Sequence, residues 1–141
     1  MEDVQQHAGA LGVELYAHAR HVVSENGRVH AAVDAARHRD WGRLGALMYD
    51  SHRSLRDDFA VSCLKLDVLV EISQAIGRTG GVYGCRMTGG GFGGSVVCVV
   101  RTDAAVAVAE TMGQDYHRRT GRTATVLTSR PGDGAYTASI P

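Results

Sequence analysis

The sequence predicts an α+β fold in which helices cover one face of an antiparallel sheet. Two observations predict it: apolar residues recur at helical spacing through the first half of the chain, and short strand-like segments near glycines, with one crossover helix between them, follow in the second half. The chain has 141 residues, of which 44% are hydrophobic and 21% charged, so it is long enough and apolar enough for a buried core. We therefore expect one domain that spans residues 1–141.

Apolar periodicity and capping residues predict four helices, at residues 11–36, 40–56, 62–77 and 103–121. The stripe of the first helix continues past the turn signal Asn26–Gly27, which favours one bent, continuous helix. Asp40 is the predicted cap of the second helix, and Ser62 that of the third. We expect the first helix to bury Leu11, Leu15, Ala19, Val22, Val23, Val29, Ala32, Val33 and Ala36, and the fourth to bury Val106, Ala109, Met112 and Tyr116.

Four segments read as strands, at residues 82–88, 95–101, 123–129 and 135–140. The run 95–101 is nearly all apolar, so we expect it to lie centrally in the sheet. A turn that contains Pro131, Gly132 and Gly134 separates the last two strands. Helices followed by strands with one crossover helix indicate a sheet with helices stacked on one face.

Composition excludes several classes of partner. Lys and Arg total 15, as do Asp and Glu, so no net charge draws the chain to nucleic acid or anionic lipid. The longest apolar stretch, 96–100, is far below the roughly 20 residues that cross a bilayer, so no membrane is expected. The three cysteines lack C-x-x-C spacing, which argues against a disulfide framework and a zinc site. We expect reduced thiols in a cytoplasmic protein.

Residues 89–94 place five glycines in six positions, in the order Gly89, Gly90, Gly91, Phe92, Gly93 and Gly94. Glycine costs backbone entropy, so either a group approaches the backbone closely or the turn requires positive φ. The spacing satisfies G-x-G-x-x-G, but a strand follows in place of a helix, which argues against dinucleotide binding. No Gly-Lys-Ser/Thr is present, which excludes a Walker A loop. Phosphate binding by backbone amides and a plain hairpin turn both remain open.

Residues 86–94, Arg-Met-Thr-Gly-Gly-Gly-Phe-Gly-Gly, resemble the third conserved motif of the GHMP kinases in its galactokinase form. Upstream, residues 51–58, Ser-His-Arg-Ser-Leu-Arg-Asp-Asp, followed by 61–63 and 66–67, resemble the segment that precedes this motif in galactokinases. Residues 19–26 resemble the family's long helix. The resemblance covers residues 16–136 and implies a GHMP kinase C-terminal domain: a ferredoxin-like layer of about four antiparallel strands, with helices on one face and a long-helix bundle.

The resemblance also implies a function, the transfer of the γ-phosphoryl group of ATP, with Mg²⁺, to D-galactose. In the family, an amino-terminal lobe supplies the galactose signature, the ATP loop and the catalytic Asp, and none of these motifs is found in the 141 residues. We therefore expect no catalytic residue and no metal ligand here, and no activity from this chain alone. Residues 89–94, supported by Arg86, Met87 and Thr88, are expected to complete the nucleotide site by close backbone packing.

A second hypothesis remains open, in which the chain is a noncatalytic module that binds a protein partner. The expected partner under the first hypothesis is the amino-terminal lobe, and an exposed lobe interface would also permit self-association. Finding the missing lobe as a separate chain would favour the first hypothesis.

One segment departs from the family pattern, because residues 63–67 read Cys-Leu-Lys-Leu-Asp where relatives usually have Cys-Pro-Glu-Leu-Asp. If Ser62 is the helix cap, its capping-box glutamate is lost. Lys65 then places a cation at the positive end of the helix dipole. We expect a cost of about 0.5–1 kcal/mol.

Other candidate sites are better explained structurally. The charged run 56–58 is more typical of caps and ion pairs than of a magnesium site. His18 and His21 lie three apart on a helix, but nothing completes a metal site, so we expect ordinary solvated histidines. Cys85 lies inside an apolar strand and is expected to be inert packing.

Overall fold

The computed structural model describes residues 1–132. In that part of the chain the elements are α1 (Glu2–Gln6), α2 (Ala8–Arg37), α3 (Trp41–Asp57), α4 (Leu64–Ile76), β1 (Val82–Thr88), β2 (Ser95–Val100) and α5 (Ala105–Thr120). A short 3-10 turn, Thr102–Ala104, precedes α5. The predicted α+β class is confirmed, with helices more prominent than the sheet.

Helix α2 is continuous through Asn26–Gly27, as predicted, and its non-helical dihedral angles lie at Gly12 instead (φ 71°, ψ 174°). The predicted buried stripe is wrong, however. Leu15 and Val29 are 60% and 52% exposed, whereas the buried residues of α2 are His21 and Ala35. Contacts between α2 and α3 instead involve polar residues of α2: His21 Nδ1 lies 2.9 Å from Ser54 Oγ, and Glu25 accepts a hydrogen bond from Ser51 Oγ.

Helix α3 crosses β1 at very short range. Asp40 caps α3 as predicted, because its Oδ1 accepts a hydrogen bond from the Arg43 amide at 2.9 Å. Further along, Gly45 faces Gly84 of β1. A Cβ atom on Gly45 would lie 1.8 Å from the Tyr83 carbonyl oxygen, and one on Gly84 would lie 2.4 Å from the Gly45 Cα. Only glycine on both sides permits this approach.

Helix α4 begins at Leu64, with Cys63 in the N-cap position and an extended backbone there (φ −146°, ψ 161°). The prediction that Ser62 caps this helix is therefore wrong: Ser62 Oγ donates instead to Asp67 Oδ1 at 2.5 Å. The lost capping box thus carries no cost, although Lys65 still lies in the first turn. Gly77 follows the last helical residue, as predicted.

The sheet of the described residues contains β1 and β2, which pair antiparallel from Val82↔Val100 to Thr88↔Ser95. The predicted strand 123–129 is wrong, because that segment has no strand conformation and no backbone hydrogen bond to another described element. Its Leu127 is 90% exposed. β-branched residues form a strand only where a partner edge and a buried face are present. The predicted strand 135–140 lies outside the described residues, and within them β2 has only β1 beside it.

Two clusters form the core. The larger joins α4, α5 and the sheet and comprises Val68, Ile72, Val82, Val108, Met112 and Tyr116; the smaller comprises Leu55, Leu66 and Met87. Helix α5 ends at Gly121 in the left-handed conformation (φ 68°), as predicted. Val106 was expected inside but is 71% exposed, because α5 faces α4 with the side that carries Val108. None of the described helices is long and apolar enough to cross a membrane.

Candidate functional site

The segment between β1 and β2, residues 89–94, forms a loop that we call the glycine loop. Positive φ angles explain most of its composition: 81° at Gly89, 83° at Gly91, 134° at Gly93 and 94° at Gly94. Phe92 also has a positive φ of 56°, which is uncommon for a side chain of its size. The loop therefore turns through conformations that glycine adopts at little cost.

One side of the glycine loop is fastened to the connection between α3 and α4. The Phe92 amide donates to the Val61 carbonyl oxygen at 2.8 Å. A Cβ atom on Gly91 would lie 2.2 Å from that same oxygen, so no side chain fits there. Val61 therefore holds the tip of the loop, and Gly91 is required by contact as well as by conformation.

The other side of the loop is open. Cβ atoms built on Gly89, Gly90, Gly93 and Gly94 meet nothing within 4 Å, and the side chain of Phe92 is 76% exposed. Gly90 is unusual among them, because its φ is not positive. Neither its conformation nor any contact in the described part of the chain requires a glycine at that position.

The three supporting residues lie at the root of the loop, on β1. Arg86 Nη1 donates to Glu25 Oε1 of α2 at 2.9 Å, and its Nε donates to the Met87 carbonyl oxygen at 3.0 Å. Met87 is fully buried in the smaller core cluster. Thr88 is exposed at the mouth of the hairpin, opposite Ser95. Arg86 and Met87 thus anchor the loop, and the Arg86 guanidinium is already engaged by a carboxylate.

Glu25 joins three elements beneath the loop. Ser51 Oγ of α3 donates to it at 2.6 Å, Arg28 Nε of α2 at 2.7 Å, and Arg86 of β1 completes the set. Burial alone would raise the pKa of Glu25, but these two hydrogen bonds and the charge of Arg86 outweigh it and lower the pKa. Glu25 is therefore held as a carboxylate that ties α2 and α3 to the root of the loop.

His52 of α3 is a second anchor, and only 3% of its side chain is exposed. Its Nδ1 accepts a hydrogen bond from the Met87 amide at 3.3 Å, so the ring proton lies on Nε2. Nε2 lies 3.2 Å from Asp67 Oδ1 of α4, without the alignment of a hydrogen bond. Burial lowers the pKa of His52 despite the nearby Asp67 carboxylate, so the neutral imidazole is favoured.

The charged run 56–58 takes part in structural pairs, as predicted. Arg56 donates to the carboxylate of its neighbour Asp57, and Asp58 pairs with Arg20 and accepts from Ser54 Oγ at 2.8 Å. These partners lower the pKa of Asp58 although burial opposes them. The run therefore ties the end of α3 to α2.

The expectation of solvated histidines is wrong for His21. It is 6% exposed, its ring stacks on Phe59 with centroids 4.7 Å apart, and its Nδ1 donates to Ser54 Oγ at 2.9 Å. Burial lowers its pKa. His18 meets the same Phe59 ring edge-on at 5.3 Å. His18 and His21 thus both pack against Phe59. No group of three His, Cys, Asp or Glu side chains that could hold a metal ion is found in residues 1–132.

The sequence did not indicate Glu25, His52 or Val61 as part of this site. Glu25 and His52 lie in the two upstream segments, 19–26 and 51–58, that carry the family resemblance, and that signal pointed near them. Val61 lies in the segment 61–63 of the same resemblance, but it contributes only its backbone carbonyl oxygen, for which no residue type is diagnostic.

The sequence of this chain matches a protein family model and proteins of known name. A family model described as GHMP kinases C terminal matches residues 32–118. A galactokinase of Chloroflexus aggregans is 45% identical over 132 residues, which is 94% of this chain and 33% of that protein. The Homo sapiens galactokinase is 43% identical over 135 residues, 96% of this chain and 33% of that protein.

A solved galactokinase structure also resembles this chain. The crystal structure of Lactococcus lactis galactokinase complexed with galactose matches with a TM-score of 0.79 and 37% identity, over 86% of this chain and 31% of that one. The chain thus spans about a third of the length of the proteins it matches.

Proposed function

The chain belongs to the GHMP kinases, whose C-terminal domain it carries, and we propose that it is the carboxyl-terminal part of a galactokinase. The family and fold predicted from residues 86–94 are confirmed by these comparisons. The complete enzyme would transfer the γ-phosphoryl group of ATP to D-galactose and release galactose 1-phosphate. The remaining two thirds of such a protein would supply the sugar site and the catalytic carboxylate.

We propose that the glycine loop completes the nucleotide site by close backbone packing. Gly90 carries this inference, since a glycine there has an entropic cost that nothing among residues 1–132 offsets. A group from outside the described residues that approaches the backbone at Gly90, such as a second glycine-rich loop or a phosphate, would explain it. Amides without side chains around them can also donate to phosphate oxygens.

The chemistry of this chain is then positioning and not proton transfer. Phosphoryl transfer depends on alignment, on neutralisation of charge and on a group near the attacking hydroxyl. Arg86 is already paired with Glu25, and the described residues bring together no group of three His, Cys, Asp or Glu side chains that could hold a metal ion. We therefore assign no step that involves a metal ion held by this chain. Its contribution is a loop fixed on one side by Val61 and His52 and open on the other.

The proposed partner is the amino-terminal lobe. The exposed apolar stripe of α2, which includes Leu15, Val22 and Val29, supports a further packing surface on this domain. Self-association through the same stripe is the competing hypothesis. Measuring the oligomeric state of the chain before and after the lobe is added distinguishes lobe binding from self-association.

The first test is ADP release with ATP, Mg²⁺ and galactose, measured on the purified chain alone and after a separately expressed amino-terminal lobe is added. We expect no ADP from the chain alone and release after the lobe is added. ADP release by the chain alone would contradict the assignment of catalysis to the other lobe. No release in either case, with the lobe bound, would favour a noncatalytic module.

A pair of variants tests the glycine loop in the reconstituted enzyme. Gly90→Leu places a side chain on the open face, and Gly113→Leu places the same side chain on α5, where a Cβ atom also meets nothing within 4 Å. We expect Gly90→Leu to reduce kcat/KM for ATP by at least about tenfold, since a small misplacement of reacting groups is costly. Gly113→Leu should behave as wild type. Equal activity of the two variants would contradict close packing at Gly90.

A further inference from the structure

Cys85 of β1 and Cys98 of β2 are direct partners in the antiparallel ladder. Their Sγ atoms lie 2.9 Å apart, on the side of the hairpin that meets Met112 of α5. Directly opposed residues in such a ladder have Cα atoms about 4.5 to 5.5 Å apart, which is within the range that a disulfide spans. The backbone register therefore brings the two thiols close enough for a disulfide to form without a change of fold, because the sulfurs need to approach by only about 1 Å.

The pair occupies a particular place in the chain. The glycine loop is the connection between β1 and β2, so a bond between Cys85 and Cys98 would close a ring with that loop at its far end. The third cysteine, Cys63, lies at the start of α4 beside the other core cluster. It has no cysteine opposite it in the described residues.

The two thiols differ in access. Cys85 is fully buried, as predicted, whereas Cys98 is half-buried and lies along a groove beside Trp41 and Tyr83. The hydrogen bond between the sulfurs lowers the pKa of Cys98, while that bond and burial raise the pKa of Cys85. Cys98 is thus the thiol that an oxidant reaches first, and Cys85 alone is inert.

We propose that Cys85 and Cys98 form a reversible disulfide in the presence of a peroxide, and that this bond staples the hairpin that carries the glycine loop. The proposal is independent of whether the loop contacts a nucleotide, because it depends only on the hairpin and its two thiols.

The reaction balances with hydrogen peroxide as the oxidant. The Cys98 sulfur attacks one peroxide oxygen, the O–O bond breaks, and with the thiol proton the second oxygen leaves as water, so Cys98 becomes a sulfenic acid. The Cys85 sulfur then attacks the Cys98 sulfur, the S–O bond breaks, and the hydroxyl leaves as a second water with the Cys85 proton. Two thiols are oxidised and one peroxide is reduced to two waters. A small dithiol such as dithiothreitol reverses the bond by exchange.

The test treats the whole chain with a small molar excess of hydrogen peroxide, unfolds it in denaturant with a maleimide, and measures the intact mass. After oxidation we expect only one of the three thiols of the chain to react with the maleimide. After treatment with dithiothreitol all three should react. Proteolysis should yield one linked peptide pair that contains Cys85 and Cys98. The denaturant midpoint of the oxidised chain should rise, because a closed ring restricts the unfolded state.

Three variants sharpen the result. Cys63→Ser keeps the pair and should behave as wild type, whereas Cys98→Ser and Cys85→Ser should show neither the linked peptide nor the rise in midpoint. Cys63→Ser also keeps the test decisive if either of the other two variants folds poorly. Three alkylated thiols after treatment, a link that involves Cys63, or oxidation of Cys98 beyond the sulfenic acid without a link to Cys85 would overturn the proposal.

Discussion

Strand β1 connects two regions that contain glycines, and the surroundings of those glycines differ between the two regions. Near its start, Gly84 faces Gly45 of α3, and a Cβ atom on Gly45 would lie 1.8 Å from a backbone oxygen. Beyond its end, the glycine loop has four glycines whose Cβ atoms would meet nothing within 4 Å. The first region is explained by contacts inside the domain, whereas the second is not.

This difference distinguishes glycines that internal packing or backbone conformation explains from one that neither explains. At the α3–β1 crossing the absence of a side chain lets two backbones touch, and the benefit is internal packing. In the glycine loop only Gly91 makes such a contact, with Val61, and positive φ accounts for Gly89, Gly93 and Gly94. Gly90 has neither reason, which directs the explanation to a group outside the described residues.

The largest effect is expected at the crossing. Gly45→Ala should destabilise the chain by about 4 kcal/mol, above the usual cost of overpacking, because a backbone oxygen cannot rotate away from the new methyl group. Gly27→Ala is the matched control on α2, where a Cβ atom meets nothing, and it should stabilise by roughly 0.5–1 kcal/mol. Urea unfolding measures both. Similar urea midpoints for the two variants would show that the contact between α3 and β1 does not require glycine at position 45.

A smaller effect is expected within the glycine loop. Gly91→Ala should cost about 3 kcal/mol, since it adds a left-handed alanine to a contact with the Val61 oxygen. Gly90→Ala should change the free energy of unfolding by less than about 0.5 kcal/mol, because that site is open. The measurement is again urea unfolding. A large loss for Gly90→Ala would show that an internal contact explains this glycine after all.

Lowering the pH should destabilise the anchor that His52 provides at the root of the glycine loop. Burial lowers the pKa of His52 in the folded chain, with Asp67 of α4 opposing it and Arg56 and Arg86 reinforcing it. The unfolded chain therefore binds protons more readily. The stability from the neutral imidazole is complete above about pH 6.5 and is lost as the pH falls through the folded pKa. Urea midpoints should fall between about pH 7.5 and about pH 5.5.

His52→Leu isolates this contribution. It should cost about 2 kcal/mol near neutral pH, because the buried Met87 amide loses its acceptor, and it should weaken the acid dependence. His21, whose pKa is also lowered by burial, should contribute to the dependence that remains. The exposed His30 of α2 provides the control, since His30→Gln should change neither quantity. An unchanged pH profile in His52→Leu would argue against a neutral imidazole as the anchor.

The smallest effect is expected at the start of α4. Leu64 is the first helical residue, is 76% exposed, and follows an extended Cys63, a backbone that suits a following proline. Leu64→Pro should therefore stabilise by about 0.5 kcal/mol through the unfolded state. Lys65→Glu should add a similar amount by reversing the charge in the first turn. A loss in Leu64→Pro would show that the Leu64 amide has a partner.

Features set by neighbouring residues were predictable from the sequence. Asp40 and Gly121 mark helix ends through hydrogen bonds and φ angles that each residue type favours locally. β1 and β2 match the strand segments predicted on either side of the glycines, and β2 carries a run of β-branched residues. Residues 86–94 also indicated the family and the place of the candidate site, because that motif is contiguous in the chain.

What is buried was decided by tertiary structure, because burial depends on which element arrives from elsewhere in the chain. Leu15, Val22 and Val33 of the apolar stripe of α2 stay exposed, whereas Glu25 of the same helix is held against Ser51 and Arg86. Residues 123–129 have the composition of a strand but no partner edge among the described residues. His52 and the Val61 carbonyl oxygen became anchors only when α3 and α4 met the loop. A sequence by itself determines local geometry, whereas only the packed chain determines which polar groups find one another and which side of a helix leaves water.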